Sequence, residues 1–421
     1  MAGDSPKQPP KSRGSSTICL PIDKDRYEQT IASPETFRRW LDESFAQMPE
    51  LFPEAFAHGY LLKDDRVSVK LGIRLRRVEC KTTAEAFTIR PSFVLPYMAG
   101  FTEDVADPLF LRRFGVPFWA LAQVFGKDAN YWYRLEISLA RNSIVGATVR
   151  QADLPEHLVA DEHHQSLDGE KVFIATTVAE GCCLGAAVVA AADEASLRTA
   201  YQTFQLEAHN VEPDYAPRSV NTDGWQATQL AWLALFPLVV IVRCFLHGWL
   251  SIRERCKKEE HYQEAGDKIW QAYEALDKRT FAQRLRRVRE WAMKTLKGIF
   301  LEKVLSLCGR SHEYQKGYEQ PGARRTSNML DRVMKPMNRY FDGCQHLHKS
   351  QQAAQKHCRA WALLFNFTPW SPAATKANDG WRSPAERLNQ HRYHDHWFHN
   401  LLVSASLAGF RRPLPSPQTA A

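Results

Sequence analysis

Three aspartates are the residues of this sequence best suited to chemistry, because each adjoins a predicted helix or strand. Asp161 follows the apolar run 157–160, and Asp223 follows the β-favouring segment 218–222. Asp331 lies near the start of a later predicted helix. Carboxylates held close together bind hard divalent cations such as Mg²⁺ through oxygen. Two such ions, about 4 Å apart, can activate an attacking oxygen and stabilise the leaving oxygen at a phosphodiester. The three acids therefore predict metal-dependent phosphoryl transfer.

The segments around the first two aspartates predict one α/β domain. Strands are expected at 157–160, 171–177, 182–192, 218–222 and 238–242, and helices at 193–209 and 225–236. This order, β-β-β-α-β-α-β, is that of a ribonuclease-H-like mixed sheet, in which strands one and four are neighbours. Ligands bind at the carboxyl ends of strands in open α/β sheets. The two aspartates, each expected at the end of its strand, should therefore converge.

The third acid is expected on a helix that follows a long insertion. Segment 256–325 has charged helical patterns and ends in a polar loop over 309–325. Asp331 flanks the apolar stripe of the next helix and can lean toward the sheet. Other acids that could take one of the three positions are Asp168, in place of the first, and Glu302 or Asp342, in place of the third.

The residues before position 150 predict two smaller regions. A helix that Ser33 caps is followed by two or three strands over 66–90. Three short helices over 106–139, with a break at Gly126, have the layout of a helix-turn-helix, for which DNA reading and simple core packing are both open. The candidate DNA contacts on the third helix are Asn130, Tyr133 and Arg134. The basic residues of the strands, which face either DNA or solvent, are Lys70, Arg74, Arg76 and Arg77.

The composition is that of an ordinary soluble protein with a basic balance. A chain of 421 residues can form two or three cores, and its excess of 55 basic over 47 acidic residues is compatible with a polyanionic partner such as DNA. Nine cysteines, two of them adjacent, form no regular framework and favour a reducing cytosol. No signal peptide is expected, and the longest apolar run, 231–242, is too short to span a membrane.

Together these patterns predict a multidomain chain of the α/β plus α class. A small helical DNA-binding region precedes the sheet, and the helical insertion precedes the last catalytic helix. The polar or proline-rich ends are expected to be disordered. The predicted regions are a disordered lead (1–32), an N-terminal α+β region (33–100), a helix-turn-helix-like DNA-binding region (101–150), the first part of the catalytic core (151–255), the helical insertion (256–325), the completion of the core with C-terminal helices (326–410) and a disordered tail (411–421).

Four short motifs, in the order in which they occur along the chain, resemble motifs of the DDE transposases of bacterial insertion sequences. Among these enzymes the resemblance is to the Mutator-like group. The motifs are ADEHH around Asp161, VNTDGW around Asp223, RCFLH with Cys244 and His247, and RTSNMLDR around Asp331. The upstream segments SFVLPY and YWYRLEISLARNSIVGATVR are also similar to this family. The likeness covers most of residues 50–410. It departs from the family at Asp331, where most members have glutamate.

The resemblance implies a bacterial, cytoplasmic and nucleoid-associated enzyme. Such an enzyme binds the terminal inverted repeats of its element as a dimer or larger assembly. Its three acids hold two Mg²⁺ ions, with Mn²⁺ as an alternative, cut the ends and join the freed 3′-hydroxyls to target DNA. Rivals are a non-catalytic DNA-binding derivative of a transposase and a metal-dependent nuclease that does not join strands.

Several residues near the predicted site have two interpretations. Cys244 and His247 are either close to the carboxylates, as the resemblance implies, or ordinary buried residues at a strand end. Trp225 either stacks on a flanking base or belongs to the core. Residues that could add to a zinc site with Cys244 and His247 are Cys344, His346, His348, His357 and Cys358. The histidines expected to lie on a packed helix rather than to bind a metal are His391, His394, His396 and His399.

Basic side chains later in the chain predict a track for DNA phosphates. They lie in the insertion, immediately before the third acid and near the C-terminus, and each could instead belong to a solvated face. These residues are Arg284, Arg286, Arg287, Arg289, Arg324, Arg325, Arg382 and Arg387.

Overall fold

Two β-sheets, each in its own unit of the chain, organise the computed structural model. It describes residues 16–96, 98–151, 153–344, 347 and 350–410. The first unit contains the described residues up to Leu154, together with 206–214 and those from Arg339 onward. The second unit contains 155–205 and 215–338. The predicted tail 411–421 and positions 1–15 of the predicted lead lie outside the described residues.

The first unit begins with a four-stranded sheet and two helices. Its elements are β1 (Thr17–Leu20), α1 (Lys24–Ile31), α2 (Pro34–Gln47), β2 (Tyr60–Ser68), β3 (Ile73–Cys80) and β4 (Ala86–Pro91). The strand order is β1-β4-β3-β2, with β1 parallel to β4 and the other pairs antiparallel. Ser33 caps α2 as predicted, since its side chain accepts a hydrogen bond from the Thr36 N–H. Residues 17–31, predicted as part of the disordered lead, instead form β1 and α1, because their apolar side chains join the core.

Four short helices follow the sheet in the first unit. They are α3 (Glu103–Arg112), α4 (Phe118–Phe125), α5 (Ala129–Leu139) and α6 (Ile144–Thr148). The predicted pair of helices around Gly126 is confirmed as α4 and α5. Gly126 has φ of +71°, a left-handed value that favours glycine. The predicted boundary between residues 100 and 101 falls inside one hydrophobic core, which contains side chains from both of its sides.

The second unit contains a five-stranded mixed sheet. Its elements are β5 (His157–Leu167), β6 (Glu170–Ala179), β7 (Cys182–Val189), α7 (Glu194–Val211, which continues into the first unit), β8 (Ser219–Thr222), α8 (Gln226–Leu235) and β9 (Val240–Arg243). The strand order is β7-β6-β5-β8-β9. Strands β5, β8 and β9 are parallel, while β6 is antiparallel to both of its neighbours. The predicted element order is confirmed, and strands one and four are neighbours.

Helices make up the rest of the chain. They are α9 (Phe245–Cys256), α10 (Tyr262–Tyr273), α11 (Lys278–Thr295), α12 (Gly298–Gly309), α13 (Ser311–Glu319), α14 (Asn328–Gly343), α15 (Gln351–Phe367), α16 (Pro372–Lys376), α17 (Pro384–Asn389) and α18 (Trp397–Ser404). Helices α9–α13 share a separate apolar core in the second unit. The predicted loop over 309–325 is wrong for most of its length, because α13 packs Tyr314 into that core.

The predicted apolar run 231–242 is divided between α8 and β9. Within the described ranges, no helix combines the length and the apolar character needed to cross a membrane.

A buried polar network lies in the first unit, where α3, α5 and α15 meet the end of α14. Arg112 and Glu136, both with fully buried side chains, form an ion pair. The Tyr340 hydroxyl donates to the same carboxylate, and His357 lies 3.3 Å from it. Burial opposes ionisation of Glu136, but Arg112 and His357 outweigh it and hold the pKa of this carboxyl at about 2.

Candidate active site

Asp161 and Asp223 come together because their strands are paired in parallel register. Val159 is opposite Asn221 in the β5–β8 ladder, and each aspartate lies two residues further along the chain, Asp161 within β5 and Asp223 directly after the end of β8. Neighbouring strands are about 4.8 Å apart, so the two carboxylates share one edge of the sheet. Asp161 accepts a hydrogen bond of 2.8 Å from the Glu162 N–H, and Asp223 accepts one of 2.7 Å from the Trp225 N–H.

The sequence-based position of Asp161 at a strand end is wrong. Strand β5 continues to Leu167, because its antiparallel pairing with β6 extends beyond the point where pairing with β8 stops. Asp161 thus lies within β5, beyond the point where the pairing with the parallel strand β8 stops. Asp168 and Gly169 form the two-residue hairpin turn, both with positive φ. Asp168 is therefore seven residues, or roughly 23 Å, along the strand from Asp161 and does not compete with it.

The pKa of Asp161 reflects how close the carboxylates are to one another. Burial, followed by the negative charges of Asp223 and Glu162, raises the pKa of Asp161 to about 7. At neutral pH the site therefore holds carboxylates that repel each other in a partly desolvated place. A divalent cation would relieve this repulsion, and the oxygen donors suit Mg²⁺.

Glu162 is a site residue that sequence analysis missed. It points to the opposite side of β5 from Asp161, as successive strand residues do. Its carboxylate accepts a 2.6 Å hydrogen bond from the Tyr201 hydroxyl of α7 and 2.9 Å bonds from the Thr228 hydroxyl of α8. Burial raises the pKa of Glu162, while these two donors oppose the rise. These hydrogen bonds of Glu162 therefore hold in place the segment of β5 that contains Asp161. Its adjacency to Asp161 in the sequence was the available signal.

Replacement of Asp161 by asparagine is expected to stabilise the protein above pH 7. The folded-state pKa of about 7 exceeds the ordinary value of 3.8, so this carboxyl contributes stability at low pH that is lost as the pH rises through 7. Asparagine does not ionise, so D161N does not lose this stability as the pH rises. Its Tm at pH 8 should exceed that of the wild type by roughly 5 °C. Thermal unfolding at pH 5 and pH 8 measures the effect.

The matched control for this prediction is D168N, which removes the same charge at the hairpin turn and should leave the difference between the two pH values unchanged. Mg²⁺ should raise the Tm of the wild type at pH 8 but not that of D161N, because only a folded site with both carboxylates binds the ion. Equal pH responses of wild type and D161N would contradict the assignment.

Gly224 and Trp225 shape the chain immediately after Asp223. Gly224 has φ of +100°, and a Cβ there would lie 2.3 Å from the Arg243 guanidinium carbon. The positive φ favours glycine here, and a larger residue would also displace the Arg243 side chain. Trp225 is 55% exposed, so of its two interpretations the core tryptophan is wrong. Its backbone is held by Asp223, and α8 buries Trp232 in its place. An exposed indole beside the acid pair is free to contact a base.

Cys244 and His247 adjoin the acid pair, as the resemblance implied. The Ser327 N–H donates to Cys244 Sγ at 3.2 Å. A hydrogen bond with Cys244 raises the pKa of His247 to about 9, burial opposes this, and attraction to Asp161 and Asp223 adds to it. Burial alone would raise the pKa of Cys244, but His247 and Ser327 lower it overall. The protonated imidazole therefore partly balances the carboxylates.

The start of α14 is held beside the same strands, but the Asp331 carboxylate does not join the pair. Asn221 donates to the Arg324 carbonyl at 2.9 Å, and the Gly181 N–H contacts Met329 Sδ at 3.2 Å. Asp331 lies one helical turn beyond Ser327 and is exposed. The structure records no contact of its carboxylate with Asp161 or Asp223. The alternatives Glu302 and Asp342 are exposed as well.

The zinc interpretation and the histidine-rich segment both concern possible metal sites. No group of three or more His, Cys, Asp or Glu side chains there is arranged to hold a metal ion. For the zinc interpretation, His346 and His348 lie outside the described residues, while Cys344 and His357 belong to the network of Arg112 and Glu136. The histidines at 391–396 precede α18 rather than lying on a helix, and His399 is buried against His394.

The predicted DNA contacts in the first unit differ in availability. Asn130 and Arg134 are exposed on α5, whereas Tyr133 is half-buried against Phe118. On the four-stranded sheet, the basic side chains of β3 pair with acids of β2. These ion pairs are Arg77 with Asp64, and Arg74 and Arg76 with Asp65 at 3.4 and 3.5 Å. The paired charges favour the solvated sheet face over a DNA-facing one.

The predicted DNA contacts in the second unit also differ in how available they are to DNA. Arg284 and Arg287 are exposed on α11, a helix with seven basic residues and one acidic residue, Glu290. Arg324 is half-exposed and pairs with Glu180 at 2.7 Å. Arg325 is structural rather than free for DNA. Its guanidinium stacks between the rings of Tyr273 and Tyr318, at 4.5 and 4.3 Å, and donates to the Tyr273 carbonyl.

The geometry defines a mixed α/β protein with a pair of carboxylates at the junction of two parallel strands. No protein-family model matches the chain, and no curated protein has a significantly similar sequence. The chemistry of the site must therefore be inferred from its own residues.

Proposed function

We propose that the protein is a transposase-type DNA strand transferase whose β5–β9 sheet is a ribonuclease-H-like catalytic core. The observation that carries the proposal is the pair of aspartates on β5 and directly after the paired strand β8, beside a protonatable histidine. The order and directions of the five strands, with one acid on β5 and the other directly after its parallel neighbour β8, agree with that core. The four motifs that resemble the Mutator-like group contain Asp161, Asp223, His247 and Asp331.

Mg²⁺, or Mn²⁺ in its place, fits the donor set. Mg²⁺ commonly takes one or two carboxylates and completes its coordination with waters and substrate phosphates. Asp161 and Asp223 would hold it, and when bound it would activate an attacking oxygen and neutralise charge at the phosphodiester. A second ion would require a further acid, and Asp331 is the candidate because α14 begins beside the site.

The chain's own residues would position the substrate and set the charge. Glu162, clamped by two hydroxyls, keeps Asp161 in place, and Gly224 allows the turn that directs Asp223. The exposed Trp225 would stack on a base near the cut. The exposed arginines of α11 and of α5 would contact DNA phosphates, so that affinity falls steeply with salt. Synapsis of two element ends would need two copies of the chain or more.

A non-catalytic DNA-binding derivative is the second candidate. It is favoured by the exposed Asp331, whose carboxylate contacts neither partner, and by the departure from glutamate at this position. Such a protein would bind element ends without cutting them.

An assay with the inverted-repeat ends that flank the reading frame tests the proposal. The full-length protein with labelled end DNA and Mg²⁺ is expected to release 3′-hydroxyl ends and to join them to a target plasmid. Binding in EDTA is expected to persist without products. Binding with no cleavage under Mg²⁺ or Mn²⁺ would favour the non-catalytic derivative. Cleavage with no joined products would favour a nuclease.

A further inference from the structure

A small cavity opens beside Asp223, between α9, α12 and α13 of the second unit. Its volume is about 110 Å³, which is room for roughly three to four waters or for one group of phosphate size. Besides Asp223, the charged and polar side chains in the cavity wall include Arg243, His247, Lys303, Arg310 and Tyr314.

Of the four cationic side chains in the cavity wall, two have no counter-charge among the described residues. Arg243 forms an ion pair with Glu313 at 2.9 Å, and the protonated His247 interacts with Cys244 and with the acid pair. Lys303, half-buried on α12, and Arg310, exposed at the end of that helix, form no ion pair within the described part of the chain. Both present only hydrogen-bond donors. The cavity therefore has an excess of positive charge and of donors.

Tyr314 supplies an independent sign that the cavity takes a ligand. It is 3% exposed, and the Arg243 guanidinium interacts with its oxygen, but no acceptor for the hydroxyl proton is found among the described residues. Gly248 leaves the space that this hydroxyl occupies, since a Cβ there would approach the oxygen to 2.7 Å. A buried hydroxyl proton without an acceptor costs free energy, and a ligand oxygen in the cavity would accept it. Burial raises the pKa of Tyr314 to about 12, so the hydroxyl remains a donor.

We propose that this cavity binds a phosphate group of the DNA backbone next to the one that reacts, held by Lys303, Arg310 and the Tyr314 hydroxyl. Phosphate oxygens are acceptors only, and charged donors bind them most strongly. The assignment to DNA rests on the proposed function, because Asp223 belongs to both the cavity wall and the acid pair. These three side chains would be positioning residues, which orient the strand without contacting the reacting atoms.

Asp223 gives the proposal a distinctive consequence. Its carboxylate repels a phosphate in the cavity unless the negative charge is compensated. Inorganic phosphate is therefore expected to bind weakly to the metal-free protein, and more tightly when Mg²⁺ is present or when Asp223 is replaced by asparagine.

Titration of the full-length protein with inorganic phosphate, followed by ³¹P NMR at constant ionic strength, tests the cavity directly. The variants are K303A, R310A, Y314F and the double variant K303A/R310A. The matched control is K257A/K258A, which removes two exposed charges just after α9. The double variant is expected to weaken phosphate binding at least tenfold, Y314F several-fold and the control not at all. Thermal unfolding of every variant verifies that it is folded.

Strand cleavage kinetics then decide whether DNA is the source of the phosphate. The double variant is expected to raise KM for end DNA about tenfold with a smaller change in kcat. Phosphate binding that the control weakens as much as the double variant, or that the wild type lacks even with Mg²⁺, overturns the proposal. Loss of phosphate binding with unchanged cleavage kinetics overturns the assignment to DNA. If the wild type binds phosphate at this cavity but cleaves no DNA, the anion site stands and the proposed function fails.

Discussion

Replacing Asp223 with asparagine is expected to lower the rate of Mg²⁺-dependent strand cleavage by about 10³-fold while DNA binding persists. The asparagine keeps the shape of the side chain and the hydrogen bond from the Trp225 N–H, but it removes the charge that would hold the cation. D161N should have an effect of the same size, because the two carboxylates are adjacent and act as a pair. Single-turnover cleavage of labelled end DNA measures the rate, and a gel-shift assay measures binding.

Two further variants give this prediction its controls. D168N changes an acid at the hairpin turn of the same strand and should cleave at the wild-type rate, since Asn tolerates the left-handed backbone there. D331N tests the third acid. A loss comparable to that of D223N would mean that α14 brings Asp331 to the metal when DNA binds. Cleavage by D223N at the wild-type rate would rule out the acid pair as the catalytic centre.

Replacing Glu136 with alanine is expected to destabilise the first unit by about 3–5 kcal/mol, because it leaves Arg112 buried without a counter-charge. Tyr340 and His357 lose the same partner. Urea unfolding followed by circular dichroism measures the free energy of unfolding. The control on the same helix is R134A, an exposed substitution that should change it by less than about 0.5 kcal/mol.

The pH dependence of this effect has a definite sign. Glu136 has a folded-state pKa of about 2, below the ordinary value of 4.5, so its stabilisation is complete above 4.5 and is lost as the pH falls toward 2. The difference between wild type and E136A should therefore shrink over that interval. A double variant with an apolar pair, R112M/E136L, should recover much of the loss. Full stability of E136A at pH 7 would contradict the role given to the ion pair.

Local patterns in the sequence were sufficient to predict the element order of the second sheet. Strand and helix periodicity follow from short-range geometry, and so does the capping of α2 by Ser33. The pairing of strands one and four followed from the element order, which brought Asp161 and Asp223 to the same edge. The Asp168-Gly169 dipeptide also carried a local signal for a hairpin turn, although its meaning for the competing acid became clear only with the register.

What the tertiary structure decided depends on contacts between residues that are far apart in the sequence. Burial of Trp232 left Trp225 exposed, stacking between two tyrosines removed Arg325 from the DNA candidates, and two hydroxyls from different helices fixed Glu162. The exposure of Asp331 likewise depends on how α14 packs. The sequence by itself determined which acids stand beside which strands, because periodicity and turns are local. Only the packing of distant segments decided which side chains share a site, because that packing sets distance, burial and charge together.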